Sequence, residues 1–290
     1  MKLEKIVSLA NKNSEVRFLA MVRSLRAVGC NLPVWVIPYD NNKFDLPENC
    51  IWWEMSEVIS YLEAAGAHKM MRKYQCLLTT NYQYVDSDIV FLRNPENVLA
   101  NVTGFITSCG HWLHPEHTYV ADTMALYQEK STTWQKSVFN AGQYACDVQL
   151  HDFDTLKNII ESTLSNKEIC LNSRTYDQVA LNLLIHLSGI QVTNLTQTPH
   201  DMESTWAGSY IDADYTRYWR DENKKPYIIH WAGCRMDIGR PIDRLFTDYL
   251  TPSEMVVWEA QLEEKRKMNK KKQLRGSLSK LKKVIKGFKK

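Results

Sequence analysis

The sequence has no long apolar run: nothing in its 290 residues approaches the length that spans a bilayer. Its beginning, "MKLEKIVSLANKNSEVRF", has basic residues but too short an apolar stretch before polar residues resume, so no signal peptide is read there. Paired cysteines are also missing. The seven cysteines (30, 50, 76, 109, 146, 170, 234) are odd in number and never form C-x-x-C. That spacing argues against a cysteine zinc site and predicts free thiols in a reducing, cytoplasmic compartment. The sequons at Asn101 and Asn194 are then fortuitous. No repeat or low-complexity tract precedes residue 265. From Lys265 to Lys290 acidic residues vanish, while 13 Lys/Arg remain. Without that stretch the chain has 23 basic and 33 acidic residues, a body of net −10. An acidic body argues against a nucleic-acid enzyme, whose binding face should be basic.

What is present is globular: 44% hydrophobic, 24% charged and 11% aromatic, enough to bury one large core. "LEKIVSLA" (Leu3–Ala10) reads as a first strand. "SEVRFLAMVRSLRAVG" reads as an amphipathic helix, with Ser14 as N-cap and Gly29 as its stop. "LPVWVIPYD" (Leu32–Asp40) is a second strand. Strand, helix, strand at this spacing is a βαβ unit, which builds parallel sheets with ligands at the carboxyl ends of the strands. "AGAHKMMRKYQCLLT" predicts a helix feeding the strand "YQYVDSDIVF", and "VTGFITSC" (Val102–Cys109) another strand. Between 110 and 135 three histidines, two tryptophans and two tyrosines mix with charges, as in a segment that lines a cleft. "VFNAGQYACDVQLHDF" recovers strand character, "RTYDQVALNLLIHLSG" is helical to Gly189, and "PYIIHWAG" (Pro226–Gly233) is a short late strand. The expected organisation is one α/β domain over 1–255 and a tail over 256–290.

Asp86 and Asp88 interrupt an apolar run. Two like charges repel, and each is costly to desolvate without opposite charge or hydrogen bonds. On a strand, side chains at i and i+2 share a side, so the pair would project together where the strand leaves the sheet. That arrangement suits a divalent cation with positions left for phosphate oxygens. A turn or helix cap is the plainer account of D-x-D alone.

Four ordered blocks add context. "RKYQCLLTTNYQYVDSDIVFLRNP", "FNAG" (Phe139–Gly142), "YDQVALN" (Tyr176–Asn182) and "IIHWAG" (Ile228–Gly233) together resemble the GT-A nucleotide-sugar glycosyltransferases, most closely the family 8 type of lipooligosaccharide galactosyltransferases and glycogenins. The resemblance implies a GT-A, Rossmann-like, mostly parallel sheet flanked by helices. It implies Asp86, Asp88 and His230 as ligands to Mn²⁺ (or Mg²⁺), with Asn140 and Gly142 holding the donor sugar. Asp177 and Gln178 would lie beside the reacting sugar, and Arg72 would grip a phosphate or sugar hydroxyl. Gly233 would leave room for a diphosphate. The partners implied are a nucleotide-diphosphate sugar and a glycan or glycolipid acceptor, and the transfer implied retains anomeric configuration.

The chain departs from the family at two places. After the first strand it has "SLANKNS", with Asn11 and Asn13 but none of the family's acidic residues, which leaves the base open between UDP and GDP. "CRMDIGRP" replaces the family's Lys-Pro-Trp, and Arg235 or Arg240 would supply the positive charge there. Asp122 and Asp147 carry no pattern that assigns them a role. His111, Trp112, His114 and Trp134 are candidates to line the acceptor site. A nucleotidyltransferase would need a glycine-rich basic loop after the first strand, and "SLANKNSEV" has no glycine. A non-catalytic nucleotide-sugar binder would be expected to lose part of the Asp86, Asp88, His230 set.

In the tail, Leu274, Leu278, Leu281, Ile285 and Phe288 recur at intervals of four and three, with lysines around them. A helix of this pattern would lie on an anionic membrane, each lysine contributing about 1 kcal/mol at most. A disordered solubilising tail is the bland alternative, and RNA binding a weaker one for a tail whose one aromatic is Phe288. Gly276 and Gly287 weaken such a helix in water. The expected location is the inner face of the membrane, held peripherally.

Overall fold

The structure is a computed structural model that describes residues 1–117, 119, 121–128, 132–163, 169–171 and 177–287. Tyr176 and Phe288 lie outside the described residues, as do the side chains of Asp122, Leu278, Leu281 and Ile285.

The first strand, β1 (Lys5–Ala10), is buried at every position, as a central parallel strand must be. It runs between β2 (Val34–Pro38) and β4 (Tyr82–Val85), parallel to both. Helix α1 (Glu15–Ala27) makes the crossover, and Gly29 turns the chain with a φ of +80° that suits glycine. Ser14 does not cap α1 through its side chain. Instead Asn11 caps the short 3-10 turn Lys12–Ser14, where Ser14 Oγ accepts from the Asn11 N–H at 3.0 Å.

Two short strands escape the sequence pattern: β3 (Cys50–Trp52) extends the sheet beyond β2, and β8 (Val192–Asn194) closes its far edge. Three residues are too few to show a period. Among the described residues the large sheet runs β3-β2-β1-β4-β7-β6-β8, with β6 at Phe105–Thr107 and β7 (Gln143–Cys146) antiparallel to both its neighbours. Helices cover it, so the expected Rossmann-like, mostly parallel α/β architecture is present.

The stretch "YQYVDSDIVF" is not one strand. Pairing in the large sheet stops at Val85 and resumes at Ile89 in β5 (Ile89–Phe91), which joins β9 (Ile228–His230) in a separate antiparallel pair. The apolar run is continuous because both halves are buried, and the crossing between sheets falls on Asp86–Asp88. The segment before it is helical as expected, and over Lys69–Leu78 the helix is of the 3-10 type.

The last helix runs unbroken from Pro252 to Gly287, through the boundary expected at 255. Its first turns belong to the body: Trp258 is buried, 4.9 Å from the Phe246 ring, and Arg266 Nε donates to the Asp237 carbonyl at 2.6 Å. Arg23 of α1 forks onto Glu254 at 2.5 and 2.7 Å. That hydrogen bond lowers the Glu254 carboxyl from 4.5 to about 2. A depressed acid contributes stability above its unfolded value, so the contribution holds at neutral pH and disappears as pH falls from 4.5 towards about 2. The pair is partly exposed and screened, worth about 1 kcal/mol at most. E254Q should therefore unfold more easily than the wild type at pH 7 and equally at pH 2, by denaturant titration. An equal gap at both pH values would refute this.

No described helix is long and apolar enough to cross a membrane.

Candidate active site

The sheet brings the site together before any side chain is considered. β1 and β4 are parallel neighbours, so their carboxyl ends lie side by side and deliver Asn11 and Asp86 to one edge. β7 is antiparallel to β4 with Gln143 opposite Val85, which sets Gly142 against Asp86; the Asp86 N–H donates to the Gly142 carbonyl at 2.7 Å. β5 pairs with β9 so that Ile89 faces His230, and the Trp231 N–H donates to the Asp88 carbonyl at 3.1 Å. Three separate pairings converge on Asp86, Asp88 and His230.

His230 Nε2 lies 3.3 Å from Asp88 Oδ1 and 3.9 Å from Asp86 Oδ2. Those separations fit two bonds of about 2.0–2.2 Å to one ion, and one ligand atom from each residue lies within 4.8 Å of the others. The space is kept clear: a Cβ on Gly142 would collide with Asp86 Oδ2 and His230 Cε1. Two carboxylates and one imidazole make a mixed hard and borderline set that could hold a divalent cation. Burial works against a charged Asp88, but the hydrogen bond and charge of His230, with Arg17 beyond, hold its carboxyl well below the usual range. Burial likewise lowers His230, and Asp88 and Asp86 outweigh it, so the imidazole is raised.

Beside this cluster is a cleft of about 310 Å³, lined by Asn11, Asn13, Arg17, Tyr39, Ser87 and Asp88 among others. Arg17 comes from the first turn of α1 and reaches within 3.9 Å of Asp88. The opening turn of a helix and a guanidinium on one wall favour an anion there.

Behind the cluster sits a fully buried cation, Lys73. Its Nζ donates to the Ala141 carbonyl at 3.1 Å and to Asp86 Oδ1 at 3.4 Å, and it pairs with Asp177 Oδ2. It also lies 4.6 Å from the Tyr84 ring centroid, while the Tyr84 hydroxyl donates to Asp86 Oδ1 at 2.7 Å. Burial opposes the ammonium, but Asp177 and Asp86 outweigh it and raise Lys73. Asp177 is itself raised, first by burial and then by Asp86, against the pull of Lys73.

Asp177 opens the helix Asp177–Ser188, which Asn182 ties to the chain before β7 by exchanging hydrogen bonds with Phe139, at 3.0 and 2.8 Å. One turn back on that face, Gln178 Oε1 accepts from Asn140 Nδ2 at 3.0 Å. Asn140 Oδ1 accepts from the Gly142 N–H at 2.8 Å, and Asn140 Nδ2 is 3.5 Å from His111. Asn140, Gly142, Asp177 and Gln178 thus form one connected wall.

No protein-family model matches the sequence, and no curated protein matches it. Solved structures do. The galactosyltransferase LgtC, in complex with donor and acceptor sugar analogues, matches with a TM-score of 0.52 at 14% identity, over 86% of this chain and 98% of that one. The bifunctional glycosyltransferase WbbM, without ligands, matches with a TM-score of 0.55 at 15% identity, over 91% of this chain and 51% of that one. The fold is GT-A.

Within the GT-A fold, the sequence-predicted residues divide into two groups. Asp86, Asp88, His230, Asn11, Asn13, Asn140, Gly142, Asp177 and Gln178 are brought together. Arg72 and Arg235 are engaged elsewhere. Arg72 donates to the Pro38 carbonyl at 2.8 Å and pairs with Glu63 at 2.7 Å, and Arg235 forks onto Asp237 at 2.7 and 3.2 Å. Arg240 pairs with Asp243 at 3.4 Å. Gly233 has a φ of +63°, a turn that suits glycine, and open space where a Cβ would stand. Asp147 accepts the Gly104 N–H at 3.1 Å, a loop tie. His111, Trp112 and His114 line a second cleft of about 700 Å³, whereas Trp134 is buried away from it. Lys73 and Arg17 were not foreseen.

Proposed function

We propose that this chain transfers a sugar from a nucleoside-diphosphate sugar to a hydroxyl of a glycan acceptor, as a family 8 type member of the GT-A fold. The observation that carries the reading is the convergence of Asp86, Asp88 and His230 at the carboxyl edge of the sheet, beside a cleft with an anion-favouring wall. Those three residues would hold Mn²⁺ or Mg²⁺, which when bound supplies positive charge to a diphosphate leaving group. Arg17 and the opening of α1 offer further positive potential to the same phosphates. Asn11 and Asn13 line the cleft where the base would lie, the Asn11 amide being held by Asp40 and by the Asn13 N–H. Asn140, Gly142, Asp177 and Gln178 form the wall on which the donor sugar would rest, with Lys73 fixing the orientation of Asp177. Asp177 and Gln178 beside that sugar support transfer with retention.

The test is a panel of UDP- and GDP-sugars, scored for hydrolysis with and without Mn²⁺. One sugar nucleotide should be consumed only with the ion, and its transfer product should show the donor's anomeric coupling by proton NMR. Ion-independent consumption, or none across the panel, would sink the reading, and an inverted first product would remove retention.

The proposal extends to location. The basic residues from Lys265 onward, carried on the helix that continues to Gly287, would hold the body, residues 1–255, against the inner face of an anionic membrane. Anionic vesicles should sediment the full chain and leave a chain ending before Lys265 in solution. Equal sedimentation of both would remove the membrane claim alone.

A further inference from the structure

We infer that Trp206 is a stacking platform for a pyranose ring of the acceptor, set in the larger cleft; this rests on the transferase reading above. Trp206 is 46% exposed, although large aromatic side chains are mostly covered. It is nevertheless fixed. Its Nε1 donates to the Ala232 carbonyl at 2.9 Å, and its backbone N–H donates to Ser204 Oγ at 3.2 Å. The six-membered ring lies on Gly208 so closely that a Cβ there would run into it. One face of the indole is thus backed by main chain, and the side chain lines the cleft of about 700 Å³.

The platform is also in register with the metal-ligand cluster. Trp206 forms a parallel bridge with His230, and the His230 N–H donates to the Thr205 carbonyl at 2.7 Å. Ala232, which anchors the indole, is two residues beyond His230. A ring resting on Trp206 would lie next to the reacting centre.

The chemistry of the lining selects the occupant. A pyranose has an apolar C–H face and a perimeter of hydroxyls. The indole and Leu113 suit the face, and Asp201 and Glu203 can accept from the perimeter. No Lys or Arg is among the lining residues, so the cleft repels rather than attracts a diphosphate. The donor belongs in the smaller cleft beside Arg17, and an uncharged sugar belongs here.

Two variants test this. W206L removes the platform. G208A keeps every side chain and backbone angle acceptable to alanine but forces the indole off its seat. Methyl glycosides of β-glucose, β-galactose and α-mannose serve as probes, titrated while saturation-transfer NMR reads their ring protons. We expect at least one to bind the wild type through one face of its ring, and both variants to bind it about tenfold more weakly. With the donor found by the nucleotide-sugar panel, the same variants should raise the KM for acceptor and leave the KM for donor unchanged. If no glycoside binds the wild type, or if one binds both variants as tightly as the wild type, the platform is refuted. Failure of the wild type to consume any nucleotide sugar would instead refute the transferase reading, whatever the glycosides do.

Discussion

Asp88→Asn should abolish metal-dependent turnover while leaving the fold in place. The substitution keeps the shape of the side chain but removes one of two charges facing the ion site, and with it the charge of the pair with His230. Charge stabilisation at a leaving group is among the largest single effects in catalysis, so a loss of about 10³-fold in kcat is expected. Chelation of the wild type should have the same effect and be reversed by added Mn²⁺. Thermal unfolding of the variant, measured without metal, should stay close to that of the wild type. D88N or chelated protein retaining full activity would show that the three residues do not hold a working ion.

Lys73→Met carries the largest expected cost in stability. The ammonium is fully buried and faces two carboxylates, Asp86 and Asp177, plus one carbonyl. Methionine fills a similar volume, yet it leaves Asp177 charged in an apolar surround. Breaking a buried ion pair from one side costs about 3–5 kcal/mol. Lys73 is raised above its ordinary 10.5, so its contribution is complete below that value and fades only as pH rises through the still higher folded one. The gap between wild type and K73M, taken from denaturant midpoints, should therefore stay level from neutral pH to about 10 and narrow in strong alkali. Adding D177N to K73M should recover part of the loss, because the stranded charge is gone. A gap below about 1 kcal/mol at pH 7 would mean that the ammonium does not hold the site together.

The metal-site candidates were legible because their residue types are costly where they stand. A charged pair in a buried run reads on its own as a turn or cap, and the order of the four blocks is what turned it into a ligand pair. What the residues did not display was the backbone path between Val85 and Ile89. A strand that continues and a strand that leaves one sheet for another are both apolar, and only the pairing partners, β1 and β7 on one side and β9 on the other, tell them apart. Arg72 and Lys73 show the same limit at finer scale. Adjacent positions on a helix point roughly 100–120° apart, and a 3-10 segment turns each residue further than an α-helix does. Choosing which of two neighbouring cations faces the site requires that local geometry. Arg17 was hidden for a simpler reason, since a cation in the first turn of an amphipathic helix reads as solvent-facing.

The position of Asp86 and Asp88 in the crossing has a mechanical consequence. Asp86 hangs from the large sheet, His230 belongs to the small one, and Asp88 stands at the seam. An ion shared by all three would add a tie between two layers that already meet through the packing of Val85 and Ala145 with Ile89 and Ile228 and through the Gln83–Tyr227 hydrogen bond. Occupying such a site stabilises the folded state by RT ln(1 + [L]/Kd), about 2.7 kcal/mol at a hundredfold excess over Kd. The melting temperature of this protein is therefore a gauge of the seam itself, and it can rank metals and nucleotide sugars before any acceptor is known.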